Sequence, residues 1–232
     1  MKRLSAASLA LGALLSATPL NAATWHVSAD AAAGGDGTAT APFRLIAEGM
    51  AAAAAGDTVR LGAGVYSDTV PLVAYGLPRQ ALLLLDKAVT VVGAGRDQTV
   101  LSALPSAVYT FGIAGVGVDS SAAVSDLTIA GACFQGINLR GASPRLDRLD
   151  VVNDPTGGSS VACDLRDGSF AIVRDCLLDG GHTALVVEFG SAGRFVRCTI
   201  GARPNDGLIC NDGSPVLEDC VFAGAGRDVL VL

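Results

Sequence analysis

Apolar residues recur in the second half of the chain in three columns, each repeating about every 22 residues. The columns are Val124, Leu146, Val173, Phe195 and Leu217; Leu127, Leu149, Cys176, Cys198 and Cys220; and Ile129, Val151, Leu178, Ile200 and Phe222. The second and third columns are two residues apart, which is the period of a strand with one buried face. The pattern therefore predicts one short strand in each repeat.

A second apolar strand is predicted after the first in most repeats. Its residues are Ile137 and Leu139, Val161 and Cys163, Leu185 and Val187, Leu208 and Cys210, and Val229 and Val231. The same apolar-x-apolar step at residues 59–61 and 89–91 extends the repeat backwards, which gives about seven copies. Turns rich in Gly, Asp, Asn and Ser separate the strands.

A unit of about 22 residues with short strands and no helix buries its apolar columns only by stacking on copies of itself. We therefore predict an all-β fold, a right-handed parallel β-helix of about seven coils with a short N-terminal helix cap. Leucine-rich repeats share the period, but their L-x-x-L-x-L-x-x-N pattern is absent from the sequence. A β-sandwich is the remaining alternative, although it would require hairpins rather than a regular repeat.

All six cysteines lie in the C-terminal half. An even number of cysteines in an exported chain is compatible with disulfide bonds. We expect Cys176, Cys198 and Cys220 to be reduced, buried and stacked, because parallel side chains in register aim their Cβ atoms alike and give poor disulfide geometry. The column just before these cysteines alternates in sign. It comprises Asp126, Arg148, Asp175, Arg197 and Asp219, which we interpret as outward residues of the strand that form an ion ladder.

The N-terminus has the layout of a secretory signal peptide. Lys2 and Arg3 precede an apolar run at residues 4–15, and small residues follow. The run is too short to span a bilayer as a stable helix. We predict a signal peptide at residues 1–22, an N-terminal cap of strand, Gly-rich loop and helix at 23–56, and the β-helix at 57–232. The mature protein is expected to be periplasmic or secreted.

The predicted cap contains several short motifs. They read T-W-H-V-S-A-D at residues 24–30, G-G-D-G-T at 34–38, A-P-F at 41–43 and G-D-T-V-R-L-G-A-G-V-Y at 56–66. This segment resembles the N-terminal capping domain of exported bacterial β-helix proteins in the pectin-lyase-like superfamily, although Ala55 replaces the proline favoured there. The resemblance implies the fold and export, and some members act on acidic polysaccharides. The motifs of polygalacturonases and pectin methylesterases are absent from the sequence.

Composition narrows the choice of partners. The chain carries 16 Lys and Arg against 22 Asp and Glu, and its formal charge of −6 disfavours nucleic acid and anionic membranes. No metal site is predicted from the sequence. The resemblance implies that a lyase of this fold would use a Lys or Arg base, often with Ca²⁺ held by clustered acids. Lys87 is the only lysine outside the signal segment, and Arg166 and Glu188 are the other catalytic candidates.

Two regions are candidates for a binding site. Long insertions before the regular repeat hold aromatic residues that either stack on sugar rings or fill the core, namely Tyr66, Tyr75, Tyr109 and Phe111. A polar strip follows the later second strands and their turns, namely Asn138, Arg140, Asp164, Arg166, His182, Glu188, Asp206, Asn211 and Asp212. Stacking is expected to bring Asp164, Arg166 and Glu188 together, as an acid-base or Ca²⁺ site or as a solvated rim. His182 follows two glycines and is interpreted as a turn residue.

The leading hypothesis is an exported β-helix protein that binds carbohydrate or another extended polymer on its lateral face. The first alternative is a polysaccharide lyase or glycoside hydrolase acting on an acidic polysaccharide, and the second is a structural or adhesive surface module. Residues 208–232 include an apolar strand with no polar cap after it. Because open strand edges favour pairing, we expect self-association or a partner there.

Overall fold

The computed structural model describes residues 22–104, 109–131, 133–153, 160–202, 206–224 and 226–232, so the predicted signal segment lies outside it apart from Ala22. The chain is nearly all β, with one helix, α1 (Ile46–Ala52). The strands are β1 (Thr24–Val27), β2 (Thr58–Leu61), β3 (Gly64–Tyr66), β4 (Val70–Ala74), β5 (Leu77–Leu85), β6 (Thr90–Val92), β7 (Thr99–Ala103), β8 (Thr110–Val116), β9 (Ala123–Gly131), β10 (Gln135–Arg140), β11 (Arg145–Asn153), β12 (Val161–Arg166), β13 (Phe170–Arg174), β14 (Leu177–Gly180), β15 (Thr183–Glu188), β16 (Ala192–Val196), β17 (Thr199–Ala202), β18 (Asp206–Asn211), β19 (Ser214–Glu218), β20 (Val221–Ala223) and β21 (Arg227–Val231).

The strands form two sheets, and the chain passes from one to the other in each coil. Sheet A has 13 strands and contains β1, β2 and the strands that begin each later coil; sheet B has eight, in the order β21-β18-β15-β12-β10-β8-β5-β4. Pairing is parallel throughout except between β4 and β5, which form an antiparallel hairpin. This arrangement is the predicted parallel β-helix.

The predicted first strand is confirmed in register. Leu146 pairs with Val124 on one side and Val173 on the other, and the column continues through Phe195 to Leu217. The four residues from Val124 to Phe195 are fully buried, so the repeat is a core pattern.

The second strand needed one correction. Ile137 pairs with Cys163, and Leu139 pairs with Leu165, so the buried pair in β12 is Cys163 and Leu165 rather than Val161 and Cys163. The misalignment arose because Val161 is apolar but lies at an outward position, two residues before the core column.

The alternating charges occupy backbone bends, within β9 and β11 for Asp126 and Arg148 and between strands for the other three. Asp126, Arg148, Asp175, Arg197 and Asp219 all have positive φ, between 52° and 61°. Apolar residues on either side of each bend, such as Val124 and Leu127, are three apart, and both are buried. A continuous strand would place such residues on opposite faces, so a left-handed residue is required to turn both inward.

These bends define five regular turns of the solenoid, preceded by two irregular passes, so the coils are less uniform than the predicted seven copies. Val59 pairs with Val91, and Val91 pairs with Val124. Val91, rather than Val89, therefore continues the first apolar column into the early coils. The first insertion forms β4 and β5. Its hairpin covers the edge of sheet B, while Tyr66 and Phe111 are buried, as the core-filling alternative predicted.

The helix of the predicted cap, α1, begins at Ile46. Phe43 lies outside α1 in a bridge with Val27, whereas Ile46 and Met50 are buried on one side of it. The Glu48 carboxylate accepts a hydrogen bond from the backbone N–H of Leu45 at 2.9 Å, which satisfies a free donor at the helix start. No helix in the described part of the chain is long and apolar enough to cross a membrane.

All six cysteines have free thiols in the structure. Cys176 and Cys198 are buried, as predicted, but Cys220 is only half-buried. Among the described strands β20 pairs with β17 alone, so the side chain of Cys220 is covered from one direction only. Burial raises the pKa of Cys133 to about 12, which keeps that thiol protonated and unreactive at neutral pH.

Candidate functional site

The predicted polar strip lies on the outer face of sheet B. Asn138 pairs in register with Asp164, and Arg140 pairs with Arg166, on strands whose intervening residues point into the core. The outer face of a solenoid sheet normally meets water, yet Asn138 and Asp164 have 1% and 0% of their surface exposed. Another part of the chain must therefore cover them.

The cover is Tyr75, at the tip of the β4–β5 hairpin. Tyr75 and Gly76 form the two-residue turn between Ala74 and Leu77, and both have positive φ, 56° and 69°. This is the backbone of a type I′ turn, which normally favours asparagine and glycine. A tyrosine in that conformation costs about 1–2 kcal/mol, so its side-chain contacts must offset the strain.

The Tyr75 hydroxyl sits among three polar side chains. It accepts a hydrogen bond from Asn138 Nδ2 at 2.9 Å, and its proton lies between Gln135 Oε1 at 3.2 Å and Asp164 Oδ2 at 3.4 Å. Gln135 Nε2 also donates to Asp164 Oδ2. We call Tyr75, Gln135, Asn138, Arg140, Asp164, Arg166 and Glu188 the Tyr75 cluster.

A chain of ions continues the cluster from β12 to β15, the strand of the next coil. Arg166 Nε donates to both oxygens of Asp164, at 2.9 and 2.8 Å, and Arg166 Nη2 lies 2.9 Å from Glu188 Oε2. The sequence-based expectation that stacking would bring these three residues together agrees with this geometry.

Cationic groups also flank the Tyr75 ring. The guanidinium carbons of Arg140 and Arg166 lie 4.7 and 5.5 Å from the ring centroid, within the range of cation–π attraction. Arg140 is held in place by Asp167, whose carboxylate accepts two hydrogen bonds at 2.9 and 3.0 Å. The centroid of the Tyr75 ring lies 6.4 Å from that of Phe111, and the two rings pack edge to face. Aromatic and planar cationic groups therefore lie side by side on the surface.

Burial controls the protonation of the cluster. It raises the pKa of Asp164, and the attraction of Arg166 offsets only part of that rise. Burial, reinforced by the charge of Asp164, also raises the pKa of the Tyr75 phenol. For Arg166, burial lowers the pKa, but the carboxylate of Asp164 outweighs this and the net pKa is raised. Asp164 therefore takes up a proton at a higher pH than an ordinary aspartate does.

The cluster does not fit the Ca²⁺ site that the resemblance implies for a lyase. The guanidinium of Arg166 lies between the carboxylates of Asp164 and Glu188, and it supplies no oxygen ligand. Calcium takes about six to eight oxygen ligands at about 2.3–2.6 Å. Among the described residues, no group of three or more His, Cys, Asp or Glu side chains could hold a metal ion together.

Lys87, one of the catalytic candidates, lies against the end of α1. Its ammonium group donates to the carbonyl oxygens of Met50 at 2.7 Å and Ala53 at 3.1 Å, at the C-terminal end of α1. A cation there satisfies free carbonyls and the negative end of the helix dipole. Lys87 is therefore positioned as a helix-capping residue.

Two other predicted residues lie apart from the cluster's hydrogen-bond network. Tyr109 is half-exposed, with Phe134 edge-on at 5.5 Å and the Arg79 guanidinium 4.3 Å above its ring. His182 is exposed at the bend before β15, where its Nδ1 lies 3.3 Å from Oγ1 of Thr183. This agrees with its interpretation as a turn residue.

Sequence reasoning missed Gln135. It has the same parity as the core residues Ile137 and Leu139, so strict alternation would place it inside. Gly136 breaks the alternation, because a Cβ there would lie 2.2 Å from Val151 Cγ1 and the strand turns closely over the core. A glycine inside a strand is the signal that would have revealed the change of face.

No family model and no curated protein matches the chain. Among solved structures, a rhamnogalacturonan lyase has a TM-score of 0.63 at 12% identity, over 88% of this chain and 60% of that one. The pectin methylesterase PemA from Erwinia chrysanthemi has a TM-score of 0.54 at 14% identity, over 88% of this chain and 67% of that one. The chain thus has the pectin-lyase-like parallel β-helix fold, and it spans about 60% of the length of that lyase.

Proposed function

We propose that the chain binds a polysaccharide along the outer face of sheet B, centred on the Tyr75 cluster. The observation that carries this proposal is the partly exposed Tyr75 ring with the guanidinium groups of Arg140 and Arg166 beside it. Aromatic surface with a few placed polar groups is the usual composition of a small-molecule or sugar site. The names of the two structural neighbours, a rhamnogalacturonan lyase and a pectin methylesterase, support the same class of ligand.

Binding is favoured over catalysis because the described cluster offers no free base. Asp164 has no exposed surface, and Arg166 is already held by two carboxylates. A base must approach the proton that it abstracts to within about 3 Å, directly or through one water. Lys87, which the sequence offered as a base, is engaged with α1.

The binding test compares two arginines that each hold a carboxylate through two hydrogen bonds. Arg140 lies in the cluster, whereas Arg194 pairs with Glu218 on sheet A. Titration calorimetry with oligogalacturonate and with neutral oligosaccharides should show binding that weakens about tenfold, or 1.4 kcal/mol, in Arg140→Gln and is unchanged in Arg194→Gln. Equal losses in both variants would contradict the proposal. No binding to any glycan on an array would favour the structural or adhesive alternative.

One observation favours the catalytic alternative. Burial raises the pKa of Asp164, and a carboxyl group with a raised pKa has one property of a general acid. Incubation with pectate, alginate and glycosaminoglycans, with and without Ca²⁺, tests it by the appearance of unsaturated or shortened products. Turnover that is lost in Asp164→Asn and in Glu188→Gln, while both variants stay folded, would replace the binding proposal with a lyase or hydrolase.

We also propose that the chain is exported and that residues 23–56 act as a cap. The charged, apolar and small residues at 1–22 and the cap motifs support this, as does β1, which pairs with β2 at the start of sheet A. Expression of the full sequence in a Gram-negative host should give a mature product that begins near Ala23 in the periplasm. Retention in the cytoplasm with an intact N-terminus would contradict export.

Self-association through residues 208–232 is a further part of the proposal. The last strands carry exposed apolar side chains, and among the described strands β21 pairs with β18 only. The exposed residues are Val216, Val221, Val229, Val231 and Leu232. Unpaired strand edges with apolar side chains favour edge-to-edge contact. Sedimentation should show dimers that Val231→Lys weakens, and a monomer at tens of micromolar protein would exclude this surface.

A further inference from the structure

A cleft of about 340 Å³ lies on the outer face of sheet A, on the side of the molecule that the Tyr75 cluster does not use. It is lined by His26 of β1, Ser28 just after β1, Arg60 of β2, and Pro42 and Gly93 from two separate loops. Arg60 is exposed and His26 and Ser28 are half-buried, so these polar groups are accessible from solvent.

His26 and Arg60 lie directly opposite each other on β1 and β2. Arg60 lies between buried Val59 and Leu61, and His26 pairs with it in register, so their side chains leave the same face of the sheet. The next residues of this column are Val92 and Ser125, which carry no charge. Two basic side chains directly opposite each other repel when both are charged, and an anion between them removes that cost.

The basic groups of this cleft have no acidic partner in the described chain. None of the described residues that line the cleft carries a carboxylate, and no ion pair among the described residues includes His26 or Arg60. Six other arginines are paired with carboxylates, namely Arg96, Arg140, Arg148, Arg166, Arg194 and Arg197.

We propose that the cleft binds an oxyanion, the carboxylate, sulfate or phosphate group of a ligand. The guanidinium of Arg60 supplies the planar pair of donors that such groups bind best, and His26 and the Ser28 hydroxyl supply further donors. The proposal is independent of the Tyr75 cluster, because the two surfaces belong to different sheets. Oxyanion binding here would stand even if sheet B bound no sugar.

The test uses the fact that the chain has two histidines, His26 and His182. Imidazole resonances are followed by NMR at about pH 6, where histidines in general begin to carry charge, while sodium sulfate is added at constant ionic strength. A His182→Gln variant assigns the two signals. The His26 signal should shift and saturate, the His182 signal should not, and Arg60→Gln should weaken the saturable shift at least tenfold.

Arg44→Gln is the matched control, because Arg44 has the same charge and is not among the residues that line the cleft. It should leave the sulfate titration unchanged. Equal shifts of both histidines, or a His26 shift that survives Arg60→Gln, would overturn the proposal. A second titration with oligogalacturonate distinguishes a free inorganic anion from an acid group carried on a polymer, since a polymer-specific site shifts His26 at much lower concentration. The absence of a saturable His26 shift with both ligands would refute it.

Discussion

Arginine–carboxylate pairs occur in two regions of the solenoid, and their surroundings differ. At the bends of sheet A, Arg148 binds Asp126 at 2.6 and 2.7 Å, and Arg197 binds Asp175 at 2.7 Å through both nitrogens. These pairs are open to solvent. Hydrogen bonds from the arginines lower the pKa of both aspartates, as expected where water still solvates the ions.

On sheet B the same chemistry lies under a tyrosine. Arg166 binds Asp164 at similar distances, yet burial raises the pKa of Asp164. The difference shows that distance alone does not decide what an ion pair contributes. The ions of the bend pairs remain solvated by water. The ions of the pair under Tyr75 lose part of their hydration, and this desolvation costs free energy.

The largest expected difference is in stability after an arginine is removed. Arg166→Ala leaves Asp164 and Glu188 facing each other without a cation, and should lower the free energy of unfolding by roughly 2–3 kcal/mol, below the range for fully buried pairs because Arg166 is partly exposed. Arg148→Ala should cost about 0.2–1 kcal/mol. Urea unfolding checks both, and equal losses would remove the distinction between the two regions.

A smaller effect is expected from the Tyr75 hydroxyl. Tyr75→Phe removes one of the two acceptors of Asn138 Nδ2, which still donates to Gln135 Oε1 at 2.7 Å, and should cost about 0.5–1.5 kcal/mol. Tyr109→Phe is the control, since the Tyr109 hydroxyl makes no hydrogen bond with the described residues, and it should change stability by less than about 0.5 kcal/mol. Thermal unfolding distinguishes them, and a neutral Tyr75→Phe would mean that the hydroxyl contacts are not stabilising.

The two regions should respond to pH with opposite signs. The folded pKa of Asp164 is raised, so the stability advantage of the wild type over Asp164→Asn should grow as pH falls towards the unfolded value of about 3.9. The folded pKa of Asp126 is lowered, so the advantage over Asp126→Asn should be complete above about 3.9 and disappear below it. Unfolding curves between pH 7 and pH 3 measure both, and slopes of the same sign would contradict the assignment.

The smallest effect is that of salt. At about 1 M ionic strength the screening length is about 3 Å, so exposed pairs are weakened and buried pairs much less. The double-mutant-cycle coupling of Arg148 with Asp126 should fall in high salt, while that of Arg166 with Asp164 should be nearly unchanged. Equal salt sensitivity would indicate that water reaches the Tyr75 cluster freely.

The stacked core was predictable because its buried positions recur at a regular spacing in the sequence. Val124, Leu146 and Val173 fall in one column, since each must be apolar to be covered by the coil above and the coil below. The bends were harder. The three-residue gap between Val124 and Leu127 excludes a straight strand, but the charge of Asp126 equally fits an outward residue of a strand, and a charge does not indicate a positive φ.

The site was predictable only in part. Asp164, Arg166 and Glu188 belong to neighbouring coils, so the repeat placed them near one another. Tyr75 lies in an insertion without a repeat partner, and no periodicity shows that a hairpin folds back over β10 and β12. The contacts of Lys87 could not be predicted either, because its partners are backbone carbonyls at the end of α1, which no pattern of side chains identifies.

The reach of the hairpin has a consequence for the order of folding. A bend pair such as Arg197 and Asp175 joins residues 22 apart, whereas Tyr75 meets Asp164 across 89 residues. Closing the longer loop costs about 1 kcal/mol more in chain entropy, since each doubling of length adds about 0.6 kcal/mol. Solenoids grow by adding neighbouring repeats, so the tyrosine can dock only after β10 and β12 have stacked. Quenching or exchange signals from Tyr75 therefore report the completion of the stack rather than its nucleation.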